Sequence, residues 1–431
     1  MKKVLCILAV LLSSTAQANN SKTVATIADS INSDVIKWRR HFHQHPELSN
    51  REYETAKTIA KHLTDLGLTV QTGVAHTGVV AILDTKKPGP VVALRADIDA
   101  LPVTEIAKLP FSSTKTTQYK GNEVGVMHAC GHDTHIAMLL GAAKVLVSMK
   151  DQLKGQVKFI FQPAEEGAPD NEEGGAELMV KEGVLESPKV DVIFGLHINS
   201  QTDVGIIKYR SGGIMAAVDP FKITINGKQS HGAYPWLSND PIVTSAQLIM
   251  ALQTIISREA KLIDDAAVVT VGSIHGGNRS NIIPNKVELI GTIRTLDKAM
   301  RTKIHEAVRR KAQGIGLSMN TSIDVELPYQ YSYPVTYNEP TLMTQMLPTL
   351  EATAGKENVK LTKAVTGAED FSFFQQKVPG LYLMVGGKNK NTPIEEAPGH
   401  HTPEFVIDDS GLHVGVKLLS NLTIDYMNQS K

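Results

Sequence analysis

Apolar positions recur along this chain with two different periods. Residues 29–44 and 51–66 place apolar side chains three and four apart, the spacing of amphipathic helices, with a break at His45-Pro46. Short stretches at 69–71 and 79–83 read as strands. Val91-Val92-Ala93-Leu94-Arg95-Ala96 is a different kind of strand. It is nearly continuous in apolar residues, as in parallel sheets buried on both faces. Residues 156–161 and 192–196 repeat that type, and 134–149, ahead of both, is a strongly apolar helix. Each of these three strands runs into residues with acid–base or ligand chemistry: Asp97 and Asp99, Glu165 and Glu166, and His197. In an open parallel sheet such strand ends collect at one edge, where α/β folds build their sites.

The rhythm changes after residue 216. A strand at 221–225, a helix at 241–257, strands at 268–274 and 287–295, a helix at 299–313 and a strand at 321–327 follow. That β-α-β-β-α-β order is the ferredoxin-like signature. It predicts a small α+β domain over 217–328, inserted into a larger α/β domain made of 19–216 and 329–431. Its turns carry Gly227-Lys228-Gln229-Ser230-His231-Gly232 and Gly276-Gly277-Asn278-Arg279-Ser280-Asn281. Glycine clusters mark tight loops, and His231 and Asn281 sit near them, where function collects. Beyond the insertion, the pattern predicts a helix at 340–354, a second one opening within 365–372, a strand at 381–385 and a closing helix at 411–427. A loop holding His400 and His401 lies before the last. No internal repeat or low-complexity segment interrupts the chain.

Composition narrows the partners. The 431 residues are 42% apolar and 20% charged, with Lys+Arg and Asp+Glu equal at 44 each. No basic excess points to nucleic acid, so the expected partner is a small molecule or peptide. Lys2 and Lys3, an apolar core over 4–12 and the small-residue site Ala16-Gln17-Ala18 read as a secretory signal peptide spanning 1–18. Cleavage after Ala18 and export, to a bacterial periplasm, are expected. The leader is too short to span a bilayer, and no later run of about 18 apolar residues appears. Of the 2 cysteines, Cys6 leaves with the leader, so Cys130 has no intramolecular disulfide partner. A lone thiol in an oxidising compartment is either buried and inert or held by something, and metal coordination is one way to hold it.

Met127-His128-Ala129-Cys130-Gly131-His132-Asp133-Thr134-His135 concentrates the candidate chemistry. A thiolate and an imidazole two residues apart can reach one divalent ion; the plain alternative is a buried cysteine before a polar helix start. His41-Phe42-His43-Gln44-His45 is either a second metal motif or a helix end, where imidazolium suits the dipole. Cys130, His132, Glu166, His197 and His401 exceed one tetrahedral site and suit two ions sharing a bridging group and a water. Asp97, Asp99, Glu165 and Glu369 stand near them. A metal-bound water has its pKa drawn toward neutrality, and a neighbouring carboxylate can take its proton. His231, where it reaches such a site, can stabilise a developing oxyanion. Within the nine-residue motif, His132 reads as the ligand and His128 and His135 as supporting or structural. Two other classes stay open: a thiol hydrolase using Cys130 with His132 as base, and a non-catalytic binder of metal or ligand.

The motifs together resemble the metal-dependent amidohydrolases that include hippurate hydrolases, aminoacylases and plant auxin-conjugate hydrolases. The markers run from His45-Pro46-Glu47-Leu48-Ser49 through Leu94-Arg95-Ala96-Asp97-Ile98-Asp99, the Cys130 motif, Gln162-Pro163-Ala164-Glu165-Glu166-Gly167 and Gly195-Leu196-His197. They continue with Ser230-His231-Gly232, Asn281-Ile282-Ile283-Pro284, Gly367-Ala368-Glu369-Asp370-Phe371 and His401-Thr402-Pro403-Glu404-Phe405. The resemblance implies a di-metal aminopeptidase-like catalytic domain, with a mixed central sheet flanked by helices, and the insertion as a lid and dimerisation domain. It implies Cys130, His132, Glu166, His197 and His401 as ligands of two divalent ions, zinc first, with manganese, cobalt and nickel open. It implies Glu165 as general base, His231 as an oxyanion contact, Asp99 behind the ligands and Asn281 near the substrate carboxylate. The expected activity is cleavage of N-acyl or aroyl amino acids by a metal-activated water. A carboxypeptidase or dipeptidase on the same site is the alternative, and a homodimer or homotetramer through the insertion is the expected assembly. Related branches carry a histidine ligand where Asp97 stands, so this chain follows the thiolate branch.

Overall fold

A computed structural model of the chain describes residues 2–429. The side chains of residues 1–19, and with them the leader reading and Cys6, lie outside the described residues. The chain divides into two compact units. One holds the described residues up to Gly212 together with Tyr337–Thr362 and Phe373 onward; the other holds Gly213–Thr336 and Lys363–Ser372.

The first unit is built on an eight-stranded mixed sheet. Its order is Thr69–Val74, Gly78–Asp84, Gln156–Gln162, Val91–Asp97, Val192–Asp203, Gly380–Lys388, Ile207–Tyr209 and Val359–Leu361. The four central strands from Gln156–Gln162 to Gly380–Lys388 are parallel neighbours. Gly78–Asp84 joins them antiparallel on one side and Ile207–Tyr209 on the other. The apolar run at 91–96 forms an interior strand, buried from Val92 through Asp97. Helix His132–Ser148 is buried around nearly its whole circumference and packs against helices Lys2–Gln44 and Leu412–Gln429. A helix without a polar face has to be enclosed in this way. The first helix extends further toward the N-terminus than residues 29–44. Val24, Ala28, Ile31 and Val35 form one buried stripe at helical spacing, and that stripe begins before residue 29. Phe159, Phe161 and Phe194 are fully buried beneath the helices, each contributing about 1.5–3 kcal/mol of burial free energy.

The second unit is a four-stranded sheet ordered Ala267–His275, Lys286–Thr295, Ala217–Asn226, Ser322–Glu326, with every neighbour antiparallel. Helices Pro241–Thr254 and Lys298–Ser318 supply the two crossovers of the β-α-β-β-α-β order. Both start at an aspartate that caps them. Asp240 accepts from the Ile242 and Val243 N–H groups ahead of Pro241, and Asp297 accepts from the Met300 N–H. Phe221, Ile223, Leu248, Leu252, Leu289 and Ile304 form its own core.

One expected element is different. Residues 365–372 do not open a long helix; the only helical turn there is Ser372–Gln375. The chain runs extended past Ala216, whose N–H is shared between the carbonyls of Val365 and Gly367 at 3.1 and 2.9 Å. Those bonds satisfy the backbone without a helix, and they group residues 363–372 with the second unit.

Candidate metal centre

The turn into helix His132–Ser148 sets the site. Gly131 has φ of +96°, and a Cβ there would lie 2.3 Å from Ile198 Cγ2. Only glycine fits a left-handed step made this close to another chain segment. The step places the Cys130 thiol and the His132 imidazole at the buried helix start. Below them, Asp133 pairs with Arg39 Nε at 2.9 Å and with His43 Nδ1 at 2.8 Å, and His43 Nε2 lies 3.2 Å from Glu105. Burial works against the Asp133 carboxylate, but Arg39 and His43 outweigh it and hold it well below the usual carboxylate range. His43 thus belongs to a buried ion network. Among the described residues, no group of converging ligand atoms includes His41, His43 or His45, and His41 and His43 lie in the last turn of the first helix.

The strand ends converge as their sequence positions require. Cys130, Glu166 and His401 bring ligand atoms within 4.8 Å of one another, as do His132, Glu165 and Glu166. Cys130 Sγ lies 3.2 Å from His401 Nε2 and 3.4 Å from His197 Nε2. His132 Nε2 lies 3.8 Å from Glu165 Oε2 and 3.9 Å from Glu166 Oε1. The tautomers are set from behind. His132 Nδ1 donates to the Asp99 carbonyl at 2.9 Å, and His197 Nδ1 donates to the Ile198 carbonyl at 2.6 Å. Each ring therefore turns Nε2 toward the cluster, the nitrogen that would ligate an ion once free of its proton. Asp99 also accepts from Ser49 Oγ at 2.7 Å and from the Glu166 N–H at 3.0 Å, so it steadies both His132 and the glutamate turn.

Two observations fit a divalent cation to these residues. His132 Nε2 is buried without a hydrogen-bond partner, although such groups are almost always satisfied, and what reaches Glu166 Oε1 is another ligand-type nitrogen, His401 Nε2 at 3.1 Å. The protonation states are also those of a site built around positive charge. Burial opposes the His132 imidazolium, yet Asp97 and Asp99 push it up to about 10. Burial, with Glu166, Glu165 and Asp97 beside it, holds the Cys130 thiol far above its ordinary value. A bound cation reverses that balance, because a ligating thiol is deprotonated. A free thiol nucleophile is disfavoured for the same reason. Without a cation the buried thiol stays protonated beside those carboxylates.

The neighbouring histidines separate cleanly. His135 donates from Nδ1 to Asp97 at 2.5 Å and accepts the Ile198 N–H at Nε2 at 2.8 Å, which leaves no lone pair for an ion. His400 is similarly engaged by the Cys130 carbonyl at 3.1 Å and the Ser200 N–H at 3.2 Å. His401, the next residue, adopts φ of +64°, donates its N–H to the Ala129 carbonyl at 2.8 Å and turns its imidazole to Cys130 and Glu166. His128 is fully buried with neither ring nitrogen bonded, and burial drops it to about 3, so it stays neutral.

Glu52 carries no signal in the sequence beyond a helix start. It is buried, and its Oε1 accepts the Ala164 N–H at 2.9 Å, where Ala164 has φ of +53°. Burial and then Asp99 raise Glu52 to about 8. It anchors the left-handed step that presents Glu165 and Glu166. His231 and Asn281 lie in the second unit, next to each other. His231 pairs with Ile282, and the Gly232 N–H donates to the Asn281 carbonyl at 2.8 Å. Both are exposed, and His231 Nδ1 accepts from the Ala233 N–H at 3.0 Å. Glu369, buried in the same unit, accepts the Phe371 N–H at 3.0 Å.

The sequence profile of peptidase family M20/M25/M40 matches residues 93–425. The chain belongs to that family. It is therefore a metal-dependent hydrolase of amide or peptide bonds. Among its relatives, thermostable carboxypeptidase 2 of Saccharolobus solfataricus is 40% identical, over 92% of this chain and 96% of its own length. The IAA-amino acid hydrolase ILR1-like 5 of Arabidopsis thaliana is 37% identical, over 92% of this chain and 88% of its own length. The crystal structure of the YXEP protein of Bacillus subtilis, described as a dinuclear metal binding peptidase from this family, superposes with a TM-score of 0.76 at 34% identity. It covers 93% of this chain and 99% of that one. The mixed sheet with its inserted ferredoxin-like unit is thus the fold of the M20 peptidases.

Proposed function

We propose that this M20 family member is an exported amidohydrolase that cleaves the amide bond of N-acyl or aroyl amino acids, releasing a carboxylate and an amino acid. The observation that carries the reading is the unlike setting of two adjacent carboxylates. Both lie 3.8–3.9 Å from His132 Nε2, but of the two Glu166 also converges with Cys130 and His401. Neighbouring acids with different surroundings are how ligand and base are divided. Two divalent ions held by Cys130, His132, Glu166, His197 and His401 would lower the pKa of a water and polarise the substrate carbonyl. Glu165 takes the proton of the attacking water and passes it to the leaving amine. Asp99 keeps His132 in its ligating tautomer. His231 contacts the developing oxyanion, and Asn281 the substrate carboxylate.

The Arabidopsis relative, named for hydrolysis of an amino-acid conjugate, supports an acyl-amino-acid substrate. The Saccharolobus relative, named a carboxypeptidase, favours a second reading as a carboxypeptidase or dipeptidase. Turnover of hippurate and N-acetyl amino acids against unblocked dipeptides separates the two; faster dipeptide cleavage hands the site to the second. Glu165→Gln is expected to keep its metal and lose about 10²–10⁴-fold in kcat. Hippurate turnover near wild type in that variant would sink the assignment.

Zinc is the expected metal, since thiolate and imidazole ligands suit a borderline-soft ion, and elemental analysis of purified protein tests it against manganese, cobalt and nickel. Export to the periplasm rests on the leader pattern of residues 1–18; N-terminal sequencing of the mature protein is expected to begin at Asn19. Assembly as a homodimer or homotetramer is assigned to the inserted unit. Ile242, Val243 and Met250 of one helix and Val268 and Ile274 of an edge strand are exposed there. Light scattering reads the mass directly, and a monomer would remove that assignment.

A further inference from the structure

Strand Val192–Asp203 outruns its neighbour. Its parallel register with Val91–Asp97 ends at the Arg95–Gly195 pair, while the strand continues through His197. Beyond that point the N–H groups of Ile198 and Ser200, two residues apart and so on one edge, donate to imidazoles. Ile198 donates to His135 Nε2 at 2.8 Å, and Ser200 to His400 Nε2 at 3.2 Å. Each ring is oriented through its other nitrogen. His135 Nδ1 donates to Asp97 Oδ1, whose Oδ2 accepts from Arg95 Nη1 at 2.6 Å, and His400 Nδ1 donates to the Cys130 carbonyl. His197 stands between the two rings, with centroids 4.7 Å from His135 and 5.3 Å from His400, and donates to the carbonyl of the same Ile198.

We infer that His135 and His400 are positioning residues that replace the missing strand. As neutral acceptors they hold the open edge of the overrunning strand, and so hold His197 Nε2 toward Cys130. The inference rests on His197 being a metal ligand. Both rings come within ligand distance of the cluster, yet neither has a nitrogen to spare for an ion. Their task is to fix the backbone from which a ligand is hung. A glutamine amide carries one acceptor and one donor group and can make both bonds of His135; leucine can make neither.

The test is metal affinity by chelator competition, with the visible absorption of the cobalt-loaded protein. His135→Leu and His400→Leu are each expected to weaken one bound ion about 10–100-fold and to change the cobalt spectrum, as losses behind a ligand do. His135→Gln is expected to restore most of the affinity. If His197→Ala binds metal like wild type, the ligand reading fails and takes the inference with it. If His197→Ala weakens binding while both leucine variants keep wild-type affinity and spectrum, the positioning role alone is overturned. Metal-free wild-type protein gives a check independent of how the variants fold. The Ile198 and Ser200 amides are expected to resist deuterium exchange like the laddered amides earlier in the strand, and exchange at loop rates overturns the inference.

Discussion

Strand Val91–Asp97 of the first unit is buried from its second residue onward, whereas strand Ser322–Glu326 of the second alternates exposed and half-buried positions. The same contrast runs through the chemistry. The first unit ends its buried strands in Asp97 and Asp99, held low against burial by neighbouring imidazoles, and in His197, which burial lowers to about 4. The second offers His231, on a two-residue strand, and Asn281, just before the partner strand, both exposed. A dry layer closed on both faces can hold charged groups ready for a cation, because their hydrogen bonds and ion pairs are made inside it. The buried charge of the second unit, Asp219, is instead closed off in an ion pair with Arg301.

The sharpest way to break this comparison is to remove one group from each side. Cys130→Ala is expected to lose bound metal and all turnover, as elemental analysis and a hippurate assay would read. His231→Ala is expected to keep its metal and melting temperature while kcat falls about 10²–10³-fold. Metal loss in the His231 variant would show that the division of labour is wrong.

Backbone geometry gives the next effect. Gly131→Ala meets both a left-handed φ and the Ile198 side chain, and should destabilise by about 2–5 kcal/mol in denaturant unfolding. Gly314, exposed in helix Lys298–Ser318 with nothing near its Cβ position, should do the opposite. Gly314→Ala is expected to stabilise by about 0.5–1 kcal/mol, the smallest of these effects.

The pH responses should have opposite signs and build up over several pH units. Glu52 holds its proton to about pH 8 in the folded chain, while the unfolded chain releases it near about pH 4.3. Folding therefore takes up a proton between those values. The metal-free protein should lose up to about 1.4 kcal/mol per pH unit across that window, and Glu52→Gln should abolish the loss. Asp219 is the reverse. Burial opposes its carboxylate, but Arg301, His305 and Ser332 hold it low. Its contribution is present above about pH 3.9, the unfolded value, and fades as pH falls below it. Melting curves of wild type, Glu52→Gln and Asp219→Asn from acid to mildly alkaline pH would show both trends, and parallel shifts in the two variants would refute the contrast.

Much of this arrangement was legible in the residues. The apolar runs at 91–96, 156–161 and 192–196 marked interior strands, and the residues that follow them supplied the cluster. The alternation after residue 216 marked the second sheet. Other parts were illegible for physical reasons. Glu52 looks like any acid at a helix start until Ala164, 112 residues away, donates to it. The extended path of 365–372 depends on the carbonyls offered to Ala216, not on any local pattern.

What the sequence by itself determined is the order and burial class of the elements and the residue types at their ends. These follow from local periodicity, which every folded form of the chain must respect. Tertiary structure alone decided which ring nitrogens face an ion. His400 and His401 are adjacent and chemically identical, and the left-handed backbone at His401 turns one to the cluster while strand 192–203 occupies the other. His132 and His135 share a helix turn, but Asp99 frees Nε2 on the first, and Asp97 with Ile198 fills both nitrogens of the second. A histidine's role depends on what meets its second nitrogen, and that partner comes from elsewhere in the fold.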